Sequence, residues 1–163
     1  MVFKESQNAF KDKGKRTFFQ SFVNKSCNFV VLIEFMSEAI SNGFVIKVET
    51  TQLLNQAIQK PFIHFFSYQI TIKNLNPFPA KLIGRFWKIW EMGGKIEQVS
   101  GLGVVGLQPI IEPNTSFTYT SGCPLTTNLG KMSGHYSFTN VQSGENFLVK
   151  IPPFELIANN LLN

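Results

Sequence analysis

Core-forming and polar side chains alternate along the chain from residue 44 onward, which is the pattern of half-buried β-strands. The segment 44–50 places on one face Phe44, Ile46, Val48 and Thr50. The segment 62–74 continues the pattern and places on one face Phe62, His64, Phe66, Tyr68, Ile70 and Ile72. The turn-forming residues 74–77 should end this strand.

A third predicted strand, AKLIGRFWKIWE at 80–91, carries large side chains on both faces, which indicates a central strand. Regular alternation divides these side chains into two sets, one containing Arg85 and Trp87 and the other containing Phe86 and Lys88. An Arg stacked on a Trp within a packed strand is therefore favoured over an open basic and aromatic platform for single-stranded nucleic acid.

Turn signals separate the remaining predicted strands. Gly93 and Gly94 can adopt the positive φ angles of a tight hairpin, after which 95–99 should return as a strand. Further strands are predicted at 117–121, 132–138 and 146–151, the last ended by Pro152 and Pro153. No helical period is found after residue 43. About seven short strands predict an all-β, fibronectin type III-like or immunoglobulin-like sandwich of two antiparallel sheets.

The chain has 163 residues, a length that suits one domain with a terminal extension. Its formal net charge is +5. Six of the fifteen basic side chains lie in residues 1–35, so the remainder is close to neutral. We predict an extension over 1–43, disordered or preceding a true start at Met36, and one domain over 44–163. Neither nucleic acid nor a membrane is expected as a partner.

The two cysteines, Cys27 and Cys123, are too few for a disulfide framework and are compatible with a reducing cytoplasm. No apolar run approaches the ~18 residues that a membrane span needs. Glu5 and Asp12 interrupt the basic start of the chain, and no small-residue cleavage site follows, which argues against a secretory signal. We expect a cytoplasmic protein.

The segment 101–106, GLGVVG, has the G-x-G-x-x-G spacing of dinucleotide-binding proteins. That site requires a helix directly after the glycines, whereas Pro109 and Pro113 follow here, so we exclude it. The glycines predict a loop between strands, with Val104 and Val105 either packed inside or presented at an apolar tip. An alternative is a concave anion site formed by the loop N–H groups.

Several short motifs together resemble the ApaG family over residues 44–163. They are Arg85-x-Trp87, the segment GLGVVGLQP at 101–109, Phe117-x-Tyr119-x-Ser121, Gly130-x-Met132-x-Gly134-x-Tyr136, and the ending Ile151-Pro152-Pro153-Phe154. The resemblance implies a fibronectin type III-like sandwich. It also implies protein–protein contacts, with which related domains of F-box proteins and of a DNA polymerase delta-interacting protein are associated. For bacterial members, it implies a link to cobalt and magnesium tolerance.

No catalytic constellation is visible in the sequence. His64 and His135 lie in strand patterns, and Cys123 has no evident basic partner. No H-x-H, C-x-x-C or D-x-D spacing indicates a metal site. Tyr119 and Tyr136 are expected to have structural roles, anchoring loops through their hydroxyl groups. We predict no enzyme activity, no catalytic residues, no metal ligands and no cofactor.

Two hypotheses follow. The first is a non-enzymatic module that recognises an unidentified protein through the loop residues Gly101, Gly103, Val104, Val105, Gly106, Gln108 and Pro109, with Val104, Val105 and Gln108 presented to the partner. The second is a protein that binds a phosphate-containing small molecule or nucleotide phosphate through the loop 101–106, with Arg85 or Lys88 as counter-charge.

Overall fold

The protein is represented by a computed structural model that describes residues 10–12, 15–22, 32–54 and 58–161. These residues form eleven β-strands: β1 (Phe10–Asp12), β2 (Lys15–Phe22), β3 (Leu32–Ser41), β4 (Phe44–Leu53), β5 (His64–Asn74), β6 (Ala80–Glu91), β7 (Ile96–Leu102), β8 (Ile110–Ile111), β9 (Ser116–Leu125), β10 (Leu129–Asn140) and β11 (Asn146–Ile157). Within the described ranges the only helix is a short 3-10 turn at Asn159–Leu161, and no helix is long and apolar enough to cross a membrane.

The strands form two antiparallel sheets. The first has the order β1-β2-β3-β4-β5-β9, and the second has the order β11-β10-β6-β7, with β8 paired to β6. The predicted all-β sandwich of two antiparallel sheets is confirmed. The position of β6 between β10 and β7 confirms that it is a central strand.

The core lies between the sheets, where the period-two pattern places it. In β4 and β5 the predicted faces are buried, and Phe44 of the first sheet stacks on Phe138 of the second with 4.6 Å between ring centroids. Each large apolar side chain buried in this way contributes roughly 1.5–3 kcal/mol. The fully buried members from both sheets include Ile46, Val48, Ile70, Ile72, Leu82, Met132, Tyr136 and Leu156.

Strand β6 departs from regular alternation at one residue. Ser137 of β10 pairs with Gly84, whereas Phe138 pairs with Leu82, so Ile83 is an extra residue in a β-bulge. Beyond the bulge the inward face passes from the even to the odd positions. Trp87 and Glu91 are buried, while Lys88 is exposed. The sequence correctly separates the two sets of side chains, but regular alternation does not show that the core uses one set before Ile83 and the other after it.

The predicted end of the last strand at Ile151 is wrong. Strand β11 continues through Pro152 and Pro153 to Ile157. Its register with β10 shifts here, because Met132 pairs with Phe154 and Gly134 pairs with Ile151. Since β11 is an edge strand with a bulge at this point, the missing proline N–H groups do not interrupt its pairing with β10.

Three strands fall within the first 43 residues, which the sequence assigns to an extension. The end of β3 pairs with β4 from Phe35 opposite Thr50 to Ser41 opposite Phe44. Ser37 of β3 also donates a hydrogen bond from Oγ to the carbonyl of Pro153 at 3.1 Å. Residues 35–41 are therefore part of the first sheet and reach the edge of the second, and the division into an extension and a domain at residue 44 stays a prediction.

The buried carboxylate of Glu91 fastens the loop after β9 to the end of β6. It accepts hydrogen bonds from the backbone N–H and the Oγ1 of Thr126, both at 2.6 Å, and from Nζ of Lys95 at 3.0 Å. Burial by itself would raise the pKa of Glu91, but the Thr126 hydroxyl, Lys95 and the Thr126 N–H outweigh burial and hold the pKa below its usual range.

We expect Glu91→Gln to lower the free energy of unfolding by about 1–3 kcal/mol at pH 7, because charge-assisted hydrogen bonds are lost in a buried site. The lowered folded-state pKa means that the ionised carboxylate stabilises the fold above its unfolded pKa of about 4.3. That contribution disappears as the pH falls through the folded-state pKa. Urea unfolding should show that the difference between parent and variant shrinks from pH 7 to pH 3. A difference independent of pH would show that only packing was changed.

Candidate functional site

The loop 103–109 between β7 and β8 contains a tight two-residue turn. Val104 and Leu107 exchange two backbone hydrogen bonds of 2.8 Å, and the residues between them, Val105 and Gly106, have φ angles of 44° and 80°. Positive φ at both central positions is the geometry of a type I′ turn. The glycines therefore shape a loop, as the sequence indicates, and a strand rather than a helix follows it.

Four large apolar side chains are exposed in and around this turn, and we call them the apolar tip. Their exposed fractions are 77% for Leu102, 52% for Val105, 54% for Leu107 and 52% for Ile110. Val104, by contrast, is fully buried. Of the three side chains that the sequence expects to be presented, Val105 and Gln108 are exposed and Val104 belongs to the core.

Val105 occupies a backbone conformation that β-branched residues rarely adopt. The hairpin between β3 and β4 provides an internal comparison, because Asn42 and Gly43 have nearly the same pair of φ angles, 46° and 73°. Asn-Gly is a preferred pair for this turn, whereas Val at its first position costs roughly 1–2 kcal/mol of backbone strain. The turn thus exposes an apolar side chain where stability alone would favour asparagine or glycine.

Three groups on β6 fix the loop to the sheet. The carbonyl oxygen of Ile83, the bulged residue, accepts hydrogen bonds from the N–H of Gly103 at 2.8 Å and from Nε2 of Gln108 at 2.7 Å. The half-buried Arg85 donates from Nη1 to the carbonyls of Leu102 and Gly103, both at 3.1 Å. The N–H of Leu82 donates to the carbonyl of Pro109 at 2.9 Å.

Gly101 leaves room for the Arg85 side chain. A Cβ atom at this position would lie 2.5 Å from Nη1 of Arg85, which is closer than atoms can approach. The guanidinium therefore lies directly against the backbone of β7 at Gly101. This contact explains why glycine is required at position 101, although the helix that a dinucleotide site needs does not follow the G-x-G-x-x-G pattern.

Arg85 and Lys88, the two predicted counter-charges, lie on opposite faces of β6. Arg85 pairs with the buried Tyr136, whereas Lys88 pairs with Ser133 and is exposed. Lys88 lines a groove of about 900 Å³ on the outer face of the second sheet, together with Phe86, His135 and Lys150. The structure therefore does not bring both cations to the loop.

Three of the six N–H groups in the loop 103–109 are engaged within the protein. Those of Gly103, Val104 and Leu107 donate to carbonyl oxygens. The N–H groups of Val105, Gly106 and Gln108 make no hydrogen bond to another described residue. Within the turn, the concave anion site considered above would therefore rest on Val105 and Gly106.

The structure places the nucleophile and the two bases that we considered in separate surroundings. Burial raises the pKa of the Cys123 thiol to about 12, so the thiol is protonated at neutral pH. The ring of His64 lies between Asn128 Oδ1 at 2.7 Å and Gln52 Nε2 at 2.9 Å, and the ring of His135 stacks on Phe86. Among the described residues, no group of three or more His, Cys, Asp or Glu side chains could hold a metal ion.

The two tyrosines considered as loop anchors contact each other instead. Tyr119 of the first sheet and Tyr136 of the second share a buried hydrogen bond between hydroxyl oxygens at 2.6 Å. Burial raises the pKa of both hydroxyls, so both are neutral at physiological pH. The two hydroxyl groups therefore join the two sheets, whereas the sequence predicts that they anchor loops.

We expect Val105→Asn to raise the free energy of unfolding by about 1 kcal/mol, because asparagine tolerates the left-handed conformation that strains valine. Urea unfolding measures the change. Val141→Asn is the matched control, since Val141 is similarly exposed, at 48%, in a turn where its φ is not positive. A loss of stability in Val105→Asn would show that the valine side chain stabilises the loop by more than its backbone strain costs.

The chain matches known proteins of one family. The family model described as the ApaG domain matches residues 55–140. A Protein ApaG from Bdellovibrio bacteriovorus is 54% identical over 95 residues, which are 58% of this chain and 74% of that relative. A Protein ApaG from Shewanella sp. strain ANA-3 is 42% identical over 125 residues, covering 77% of this chain and 98% of the relative.

Two solved structures resemble this chain in fold and sequence. A crystal structure of an ApaA protein from Bordetella pertussis has a TM-score of 0.66 and 36% identity, covering 71% of this chain and 93% of that one. An X-ray structure of a structural-genomics target has a TM-score of 0.68 and 42% identity, covering 77% of this chain and 94% of that one. The chain therefore belongs to the ApaG family.

Proposed function

We propose that this protein is a non-enzymatic module that binds a protein partner through the loop 101–109. The observation that carries the proposal is the apolar tip, which is exposed on a turn that hydrogen bonds hold to β6. Exposed apolar side chains on a rigid loop are typical anchors of protein interfaces, where a few side chains supply most of the binding energy.

The backbone strain at Val105 supports the same proposal. Residues held in unfavourable conformations are concentrated at sites where function opposes stability. The type I′ turn fixes the direction in which Val105 projects, so little loop entropy is lost when a partner binds. In a loop that only connects two strands, a strained and exposed valine would have no advantage. In a binding loop, the same valine can contact the partner.

The link to metal tolerance that the family resemblance implies is, in this proposal, indirect. The loop offers apolar side chains and one amide rather than a set of oxygen, nitrogen or sulfur ligands. The module would act on a partner protein whose own activity concerns cobalt or magnesium. A phosphate-containing ligand of the same loop remains the second hypothesis, supported by the free N–H groups of Val105 and Gly106.

We expect Val105→Lys to reduce partner retention at least tenfold in an affinity purification from a lysate of the cells that make this protein, with the full chain as bait. Placing a charge in an apolar contact costs several times the ~1.4 kcal/mol that corresponds to tenfold binding. The retained proteins are identified and quantified by mass spectrometry. The melting temperature should be close to that of the parent, because the side chain is exposed.

Ile63→Lys is the control for this experiment. Ile63 is as exposed as Val105, at 53% against 52%, and lies directly before β5 in the first sheet, away from the loop and from β7. A partner lost from Val105→Lys and kept by Ile63→Lys supports the loop. Identical retention by both variants contradicts the proposal, and stabilisation of the parent by pyrophosphate, weakening with salt, would then favour the phosphate hypothesis.

A further inference from the structure

Strand β7 is an open edge of the second sheet. It hydrogen-bonds to β6 on one side, and among the described residues no strand pairs with its other side. Five of its seven residues are exposed and two, Val99 and Gly101, are half-buried. Among the residues of β7, only the Val99 side chain packs against the core. The strand contains no proline and no bulge against β6.

The direction of the free main-chain groups follows from the register. Gly103 donates its N–H to Ile83, and Glu91 donates its N–H to Lys95, so the odd-numbered residues of β7 form the hydrogen-bonded pairs with β6. The even-numbered residues therefore direct their N–H and C=O groups away from the sheet. They are Ile96, Gln98, Ser100 and Leu102.

The other edge of the same sheet is protected. Strand β11 contains Pro152, Pro153 and a bulge. Its Pro153 carbonyl accepts a hydrogen bond from Ser37 Oγ of the first sheet, and its Lys150 N–H donates one to Ser41 Oγ. Prolines, bulges and covering segments are the usual means by which proteins prevent an edge from pairing with another chain. Among the described residues, β7 has no proline, bulge or covering segment, and Glu97 is its only charged side chain, so its edge can accept an added strand.

Arg85 brings a positive charge to this edge. Its guanidinium crosses Gly101 and reaches the carbonyl of Leu102, which is one of the outward-directed groups. It forms no ion pair with any described carboxylate. Only Nη1 is engaged in the hydrogen bonds to the loop, so the guanidinium keeps further donors for an acceptor that arrives at the edge.

We propose that the edge of β7 binds an extended segment of the partner protein as an additional antiparallel strand, with an acidic side chain of that segment against Arg85. This inference rests on the proposed function as a protein-binding module and names the kind of partner. Alternating free N–H and C=O groups are satisfied by another extended backbone, which is the basis of recognition by strand addition. The apolar tip at the end of β7 would extend the same surface.

The register specifies which partner side chains are favoured. In an added antiparallel strand, the residue opposite Gly101 lies on the same face as Arg85 and in a closely spaced, non-hydrogen-bonded pair. The next residue on this face lies opposite Val99, and the one after that lies opposite Glu97. The preferred partner sequence therefore reads acidic, any, apolar, any, basic in the direction from amino to carboxyl terminus.

The test is a titration of the isotopically labelled full chain with the synthetic peptide Thr-Glu-Thr-Val-Thr-Lys-Thr, followed by NMR. Binding should slow hydrogen exchange at the outward N–H groups of Gln98, Ser100 and Leu102 and leave those of Val99 and Gly101 unchanged. A peptide with Gln in place of Glu should bind about tenfold more weakly, because the charge-assisted bonds to Arg85 are lost. Equal binding of the two peptides, protection elsewhere in the protein, or no binding at millimolar peptide would overturn the proposal.

Two variants separate backbone recognition from charge recognition. Ser100→Pro removes one outward N–H without removing a bond to β6, and it should abolish peptide binding, whereas Ser100→Val should bind like the parent. Gly101→Ala moves the guanidinium away from the edge and should remove the preference for Glu over Gln. If Gly101→Ala keeps that preference, Arg85 is not the group that recognises the acid.

The peptide experiment and the loop experiment can fail independently. The seven-residue peptide covers β7 and not the turn, so Val105→Lys should bind it like the parent. A partner that is lost from Val105→Lys but kept by Ser100→Pro would leave the proposed function standing and overturn strand addition. Peptide binding together with unchanged partner retention by Val105→Lys would support strand addition and contradict the role of the loop.

Discussion

One extra residue in the central strand decides which side chains enter the core and which reach the candidate site. Ile83 is inserted in β6 relative to β10, so the inward face changes from Leu82 before the bulge to Trp87 and Glu91 beyond it. Without this change, Arg85 and Trp87 would face outward, and Lys88 would point between the two sheets. The cost of burying that unpaired lysine makes the regular strand incompatible with this sandwich.

The same bulge positions the loop. The carbonyl of Ile83 is directed to the loop after β7, where it accepts hydrogen bonds from Gly103 and Gln108. Two residues further on, Arg85 reaches across Gly101 to the carbonyls of Leu102 and Gly103. A bulge often re-aims side chains next to functional sites, and here it supplies both an acceptor and a cation to one loop. The apolar tip is thus held by a central strand of the second sheet.

The strands and their faces could be predicted because period two is a local property. The segment 44–50 buries its predicted face, and the second segment does so from Phe66 to Ile72, since one side of each strand faces the core there. The predicted start at Phe62 is two residues too early, because β5 begins at His64. The bulge at Ile83 could not be predicted, because nothing in the run AKLIGRFWKIWE distinguishes a strand that changes faces from one that does not. The continuation of β11 through Pro152 and Pro153 depends on its place at a sheet edge, which is a tertiary property.

The candidate site follows the same division between local and tertiary information. Glycine spacing indicates a loop, but the burial of Val104 beside the exposure of Val105 depends on a turn whose two φ angles are fixed by pairing to Leu107. The loop follows directly on the open edge of β7, and Arg85 contacts both. A strained apolar turn and an unprotected edge are each unfavourable for an isolated domain, the first for stability and the second for solubility. In the mode of binding that we propose, a single partner strand ending at the apolar tip would cover both, so the two features would form one continuous surface.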